Sequence, residues 1–220
     1  MCIRDRNYSL ANHGELAEIV CTNPCGEIGL REWEACILGH INLDAFAPTP
    51  FRAEVDYEGM FEAHRLMTRF LIRASFGDKA DPKQQEMVNR NRRIGVGHFG
   101  VAGFLNKLGI KYSEAPKQDF FPGLLVDLYT TVKLEATDYA FKLRIPAPVA
   151  NTTMAPTGSI AKLVGATEGP QPPYAKYYYR RIQFSTINHP DKIQEYIDQG
   201  YDVEDSVYAC LLYTSDAADE

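Results

Sequence analysis

The amino-acid sequence predicts an α/β fold, because short apolar segments of strand type alternate with longer amphipathic segments of helix type. The 220 residues are 45% hydrophobic and 24% charged, which is typical of a folded chain with a sizeable core. No apolar run reaches the roughly 18 residues of a membrane span, and no signal-peptide pattern opens the sequence. A net charge of -6 argues against a protein that coats nucleic acid. We therefore expect a cytoplasmic protein with no stable nucleic-acid partner and no membrane partner.

The first half of the chain contains a helix with a regular pattern. Apolar residues recur at steps of three and four over residues 56–76, which predicts an amphipathic helix with one buried stripe. His64 lies on that stripe, so we expect a buried core histidine rather than a ligand. Three strands are predicted around this helix, over residues 16–21, within 32–46 and over 93–96, the last running into a close-packed helix.

The second half repeats the alternation of helix and strand. Residues 118–142 predict a helix, residues 151–169 predict a strand, a glycine turn and a helix start, and residues 174–184 predict another strand. Residues 191–200 predict a short helix with Asp191 as its cap and Gly200 as its stop.

The two ends of the sequence differ from the rest in pattern. Residues 1–6 and 210–220 show no periodicity that connects them to their neighbours, and both resemble translated sequencing-adapter sequence in the matching orientation. We therefore expect the natural segment to be 7–209, with no biological role for Cys2 or Cys210.

The remaining cysteines are Cys21, Cys25 and Cys36, and they allow three interpretations. They can be small buried hydrophobes, as free cysteines often are. They can form a zinc site with His40, although neither pair has the two-residue gap of common zinc fingers. The third interpretation is catalytic and depends on the residues around Cys25.

Asn23, Cys25 and Glu27 place an amide, a thiol and a carboxylate within five residues of one loop. A carboxylate this close disfavours a thiolate, so polar nucleophilic attack is not the natural chemistry of the loop. A thiol that donates a hydrogen atom needs no ionisation, and the carboxylate can act as a base on an adjacent hydroxyl. The combination favours radical chemistry on a sugar.

This loop resembles the active-site loop of the ribonucleotide reductase catalytic subunit. The resemblance rests on residues 23–27 (NPCGE), on Cys36 eleven residues after Cys25, and on residues 39–43 (GHINL). It is strongest for the adenosylcobalamin-dependent class (class II), and residues 91–97, 161–169 and 174–181 look most like its monomeric triphosphate-reducing branch. The resemblance implies that Cys25 is the thiyl radical that removes the ribose 3′ hydrogen and that Glu27 is the base on the 3′ hydroxyl. It also implies that Asn23 holds the ribose hydroxyls and that Cys36 is one of two thiols that end as a disulfide.

Cys21 matches no catalytic position of the family, so we expect it in the core.

Residues 151–160 (NTTMAPTGSI) form a second motif. The unpaired N–H groups of a helix N-terminus bind phosphate well, although a Thr-Gly-Ser turn can equally be a simple helix cap. The spacing of a P-loop is absent. The segment resembles the substrate-phosphate segment of the same reductases, in the same order along the chain. The resemblance implies four phosphate-binding residues, Thr157, Gly158, Ser159 and Ile160.

The resemblance also implies a fold and an activity. The chain would form part of a ten-stranded α/β barrel with a central finger loop that carries Cys25. The activity would be thiyl-radical reduction of ribonucleotides, here triphosphates, to 2′-deoxyribonucleotides for DNA synthesis. Adenosylcobalamin is the implied cofactor, bound mostly outside this chain, and no metal ligand is assigned. The implied partners are dNTP effectors and a thioredoxin-type or other dithiol reductant, and the chain alone is expected to be inactive.

Two alternative functions stay open from the sequence. A class I or dimeric class II ribonucleoside-diphosphate reductase shares the thiyl loop. A small zinc-binding or redox thiol module would instead use Cys21, Cys25, Cys36 and His40.

Overall fold

A computed structural model describes residues 19–35, 37–50, 52–175, 177, 184–185, 187–188 and 190–204. Four strands occur among these residues: β1 (Cys21–Thr22), β2 (Gly29–Leu30), β3 (Leu38–Asn42) and β4 (Gly95–Phe99). β1 and β2 form a short antiparallel hairpin, and β3 and β4 pair in parallel. On its other edge β4 bridges in parallel to Thr152. Three parallel segments therefore lie side by side, as predicted for an α/β protein.

The helices of the first unit, Met1–Pro173, surround this sheet. They are α1 (Tyr57–Ala74), α2 (Pro82–Asn91), α3 (Val101–Lys107), α4 (Phe120–Leu143) and α5 (Gly158–Leu163), with 3-10 turns at Leu43–Phe46 and Tyr112–Lys117. The crossover between the parallel strands β3 and β4 runs through α1 and α2, as parallel pairing requires a long connection. None of the helices in the described part of the chain is long and apolar enough to cross a membrane.

The core lies between the sheet and helices α1, α3 and α4. Its largest fully buried apolar side chains lie on these three helices, on the 3-10 turn after β3 and directly before β4: Leu43, Met60, Leu71, Ile72, Ile94, Phe104, Leu105, Leu128 and Val132. The predicted helices over 56–76 and 118–142 are confirmed as α1 and α4, whose apolar stripes pack against each other, while α1 also packs against β3 and β4. Asp56 caps α1, since its Oδ1 accepts the Gly59 N–H at 2.9 Å.

Three local predictions were wrong in position. The strand predicted over 93–96 is β4, which begins two residues later, because its pairing with β3 starts at Gly95 opposite Leu38. The strand predicted to end at Cys21 begins there instead, and residues 16–18 lie outside the described residues. The segment 151–169 contributes a single bridge at Thr152 before α5 rather than a strand.

The second unit, Tyr174–Glu220, contains the helix α6 (Pro190–Asp198). Asp191 lies in its first turn rather than at its cap, since the helix begins one residue earlier than predicted. Gly200, with a φ of 81°, follows its end as expected. The Tyr196 ring contacts Phe184 and Tyr201, with ring centroids 5.3 and 5.4 Å apart. The strand predicted over 174–184 lies mostly outside the described residues.

Candidate active site

A tight turn between β1 and β2 carries the first motif. The Asn23 N–H donates to the Ile28 carbonyl at 3.2 Å, and the Gly26 N–H donates to the Asn23 carbonyl at 2.9 Å. The Asn23 side chain closes the same turn, because its Oδ1 accepts the Ile28 N–H at 3.0 Å. Gly26 supplies the φ of 77° that favours glycine. Asn23 is thereby buried, and the turn is held from both its backbone and its side chain.

Cys25 and Glu27 lie on this turn in contrasting surroundings. Cys25 is an exposed free thiol. Both carboxylate oxygens of Glu27 are buried, and no hydrogen-bond donor within the described part of the chain reaches them. A buried carboxylate without donors is costly, so this group is suited to a ligand that brings hydroxyl hydrogens of its own. The turn thus presents a thiol and an unpartnered carboxylate two residues apart.

A narrow cavity joins Glu27 to the second motif. It has about 10 Å³ of space for the centre of a water molecule, enough for one water. Its lining comes from the loop and β2, from the residues before β4, and from the segment that bridges to β4: Glu27, Ile28, Gly29, Arg93, Ile94, Ala150, Thr152 and Thr153. The fold therefore brings the two sequence motifs together, although they are far apart along the chain.

A buried ion pair fixes one wall of this cavity. The Nε of Arg93 donates to Oε2 of Glu34 at 3.2 Å, and the two side chains are 5% and 1% exposed. The same Oε2 accepts the Arg31 N–H at 2.9 Å, and Oε1 accepts from Nδ2 of Asn91 at 2.6 Å. Sequence reasoning missed this pair, whose members are 59 residues apart. Its single signal was a pair of arginines directly before a buried strand.

The predicted phosphate segment leads into the short helix α5, and the Thr157 side chain at its start bonds outside the helix. Thr157 occupies the N-cap position of α5 but makes no side-chain cap bond. Its buried Oγ1 instead accepts the Gly169 N–H at 2.8 Å, which ties the two ends of this segment together. Gly158 is half-buried, and Ser159 and Ile160 are exposed. The simple-cap interpretation is therefore wrong for the Thr157 side chain, whose hydroxyl hydrogen is not committed by that bond.

His40 on β3 reaches the same segment. The Ala155 N–H donates to Nε2 of His40 at 3.0 Å. Burial lowers the pKa of His40, and the nearby negative charge of Glu27 opposes this effect. Sequence reasoning gave His40 a role only in the alternative zinc set, because nothing in the sequence indicates a contact across 115 residues.

Two histidines pair on the helix-facing side of the strands. His64 on α1 is fully buried, as expected for a core histidine, and its Nδ1 donates to the Met60 carbonyl at 2.6 Å. Its Nε2 is then the acceptor for Nε2 of His98, 2.7 Å away. Burial, with the neighbouring His64 and His40, lowers the pKa of His98 to about 3. Both rings are therefore neutral near pH 7.

Two cysteine predictions remain to be placed. Cys21 was expected in the core, which is wrong: it is exposed, and its Sγ lies 4.0 Å from the Leu30 carbonyl oxygen. Cys36 lies outside the described residues. Among the residues that the structure describes, no three His, Cys, Asp or Glu side chains cluster as a metal site would require.

A family model described as "Ribonucleotide reductase, barrel domain" matches residues 3–140, more than half of the chain. The chain belongs to the ribonucleotide reductase family. This reductase chain is 49% identical over 202 residues to a Mycobacterium phage D29 protein whose name carries the words adenosylcobalamin-dependent ribonucleoside-triphosphate reductase. It is 30% identical over 224 residues to the adenosylcobalamin-dependent ribonucleoside-triphosphate reductase of Lactobacillus gasseri.

The reductase chain spans only part of these relatives. The phage alignment covers 91% of this chain and 29% of the relative, and the Lactobacillus alignment covers 92% and 29%. The crystal structure of a B-12 dependent (class II) ribonucleotide reductase matches with a TM-score of 0.57 and 28% identity, over 69% of this chain and 22% of that one. An Actinobacillus ureae class Id ribonucleotide reductase alpha subunit matches with a TM-score of 0.56, over 91% and 38%. At 18% identity, the second likeness concerns the fold alone.

Proposed function

We propose that the complete protein containing this chain reduces ribonucleoside triphosphates to 2′-deoxyribonucleotides for DNA synthesis. The observation that supports this function most strongly is the turn between β1 and β2. It holds an exposed Cys25 thiol beside the unpartnered, buried carboxylate of Glu27, and the cavity at Glu27 opens onto the second motif. The names of the relatives favour triphosphates as substrates.

Each functional residue of the turn has its own role in the proposed reaction. Cys25, as a thiyl radical, takes the 3′ hydrogen atom of the ribose and returns it at the end of the cycle. Glu27 accepts the proton of the 3′ hydroxyl, and Asn23 binds the ribose hydroxyls. The 2′ hydroxyl leaves as water, and two thiols supply the two electrons and two protons and become a disulfide. Cys36 is proposed as one of these thiols.

The second motif is proposed as the phosphate site. The backbone N–H groups at the start of α5 and the hydroxyls of Thr157 and Ser159 offer donors to an anion. Gly158 and Ile160 would contribute through their backbone amides. This proposal is supported by the cavity, which places the start of the second motif beside Glu27.

The proposed cofactor follows the names of the relatives, and the proposed partners follow the family resemblance of the sequence. Adenosylcobalamin is proposed as the cofactor of the complete protein, which would work in the cytoplasm with dNTP effectors and a thioredoxin-type or other dithiol reductant. The cavity beside Glu27 has room for one water and is therefore too small for a corrinoid. We therefore propose that the cofactor is bound mainly outside this chain, within a ten-stranded barrel to which residues 7–209 contribute.

A matched pair of cysteine variants tests this function. In the complete protein, Cys25→Ala should abolish deoxyribonucleotide formation, because the substitution removes the thiol on which the thiyl radical is proposed to form. Cys21→Ala removes an exposed thiol four residues away and should leave the rate within about twofold, as surface substitutions usually do. Product is measured from radiolabelled ribonucleoside triphosphate with adenosylcobalamin and a dithiol. Full activity of Cys25→Ala would contradict the proposed function.

A further inference from the structure

The His40 imidazole connects two segments that are 115 residues apart. It stands on β3, and its Nε2 lies 3.0 Å from the backbone nitrogen of Ala155. A backbone N–H can only donate, so Nε2 must be the acceptor and the ring proton must be on Nδ1. The contact therefore exists only with a neutral His40 of one tautomer.

The ring is held in place by the neighbouring strand. His40 lies opposite Gly97 in the parallel register. A Cβ built on Gly97 would collide with the Thr153 carbonyl and with the His40 ring, so both occupy the space that a side chain at this position would need. Only glycine permits this close approach, and the ring is thereby confined between β4 and the 151–160 segment.

The hydrogen bond from the Ala155 N–H to His40 lies where the 151–160 segment stops pairing with β4. The Thr153 N–H donates to the Val96 carbonyl at 3.2 Å and ends the pairing with β4. Ala155 is buried, and the next residue, Pro156, has no N–H to give. The bond from Ala155 to His40 thus anchors the backbone just before Thr157, the residue that opens α5.

We propose that His40 is a positioning residue for substrate phosphate binding. Through the Ala155 amide it fixes the direction in which the Thr157–Ile160 segment presents its amides and hydroxyls. This inference rests on the proposed function, since it assigns a task to the phosphate site of the same reaction. His40 itself touches neither the phosphates nor the reacting ribose, so losing it weakens binding without removing a chemical step.

Two carboxamide variants of the complete protein separate positioning from packing. In His40→Gln, the side-chain oxygen lies about as far along the side chain as Nε2 and can still accept the Ala155 N–H. In His40→Asn, the oxygen is one carbon shorter and cannot reach it. Both variants lose the imidazole, and both keep an acceptor of the same chemistry. Thermal melting of each variant confirms that it is folded.

We expect His40→Asn to raise the KM for the ribonucleoside triphosphate about tenfold with kcat within about twofold, as the loss of one neutral hydrogen bond implies. We expect His40→Gln to restore KM to within about twofold of the wild type. Equal KM values for His40→Asn and wild type would overturn the inference, and so would equal losses in both variants. A wild-type protein that reduces no ribonucleotide would instead contradict the proposed function.

A second measurement does not depend on turnover. Nitrogen-15 NMR of the wild-type protein reports which ring nitrogen of His40 carries the proton. We expect an unprotonated Nε2 and a protonated Nδ1 near pH 7. A protonated Nε2 would overturn the inference even where a His40 variant fails to fold.

Discussion

The two faces of the β3–β4 pair both carry histidines, yet they satisfy their polar groups in different ways. On the helix-facing side, His64 and His98 bond to each other and to the Met60 carbonyl inside the apolar core. On the other side, His40 reaches a distant backbone amide, and the neighbouring Glu27 carboxylate has no donor among the described residues. On the first face one ring nitrogen, Nδ1 of His98, has no partner among the described residues, whereas on the second face both oxygens of a carboxylate are available. We therefore propose that the chemistry takes place on the second face, which we call the working face.

The largest expected effect on stability comes from the buried ion pair between Arg93 and Glu34, which forms one wall of the cavity at Glu27. Glu34→Ala leaves the Arg93 guanidinium buried without its carboxylate and also frees the Asn91 side chain. Breaking one partner of a buried pair costs about 3–5 kcal/mol of the free energy of unfolding. Urea unfolding of the chain measures this value.

The control for this prediction is an exposed ion pair. Asp138→Ala breaks the pair with Lys142, whose side chains are both more than half exposed, and should change stability little. Equal losses in the two variants would mean that burial of Arg93 does not matter.

A pair of glycine variants tests the close approach on the working face. Gly97→Ala places a methyl group against the Thr153 carbonyl and the His40 ring, so we expect a loss of about 1–3 kcal/mol. Gly123→Ala on α4 meets no atom within 4 Å and should instead stabilise the chain by about 0.5–1 kcal/mol, since alanine favours a helix. Differential scanning calorimetry of both variants measures whether each substitution lowers or raises the stability. A more stable Gly97→Ala variant would show that a methyl group fits at this position without a steric clash.

The smallest expected effect comes from acid on the helix-facing side. Burial lowers the pKa of His98 from 6.5 to about 3, so the unfolded chain takes up this proton first as the pH falls. Stability is therefore fully present above pH 6.5 and is lost progressively towards pH 3. Between pH 7 and pH 5.5, His98 alone should account for a loss of about 1 kcal/mol.

The matched variant for this pH dependence is His98→Gln, which keeps an N–H donor for His64 but does not titrate. Urea unfolding at several pH values should give a shallower slope for this variant than for the wild type. Identical slopes would show that His98 is not the group that links stability to pH.

Local patterns predicted much of the fold. α1 and α4 follow directly from apolar periodicity, because their stripes face one core. α2 was missed because its sequence is mostly polar, although Asp81 at its cap and Pro82 at its first turn were available as signals. The register of β4 was missed because its glycines and histidine have low strand propensity, and its pairing with β3 decides its bounds.

The candidate site likewise combines residues that local motifs predicted with contacts between distant residues that they did not predict. The first local motif identified Cys25 and Glu27 as candidates, and the second identified Thr157. The cavity brings Glu27 and the second motif together. The pair of Arg93 with Glu34 and the contact of His40 with Ala155 join residues 59 and 115 positions apart. Such contacts exist only once the chain has folded, so no local pattern could have predicted them.

The closure of the turn by Asn23 determines how a sugar could be oriented there. Its Oδ1 is occupied by the Ile28 N–H, while no bond within the described part of the chain uses the two hydrogens on its Nδ2. Ionised Glu27, two residues beyond Cys25, can only accept hydrogen bonds. A pair of neighbouring hydroxyls bound across this turn therefore meets a donor at one end and an acceptor at the other. The hydroxyl beside Asn23 therefore accepts a hydrogen bond and the hydroxyl beside Glu27 donates one, so the turn gives opposite roles to two neighbouring hydroxyls of a sugar.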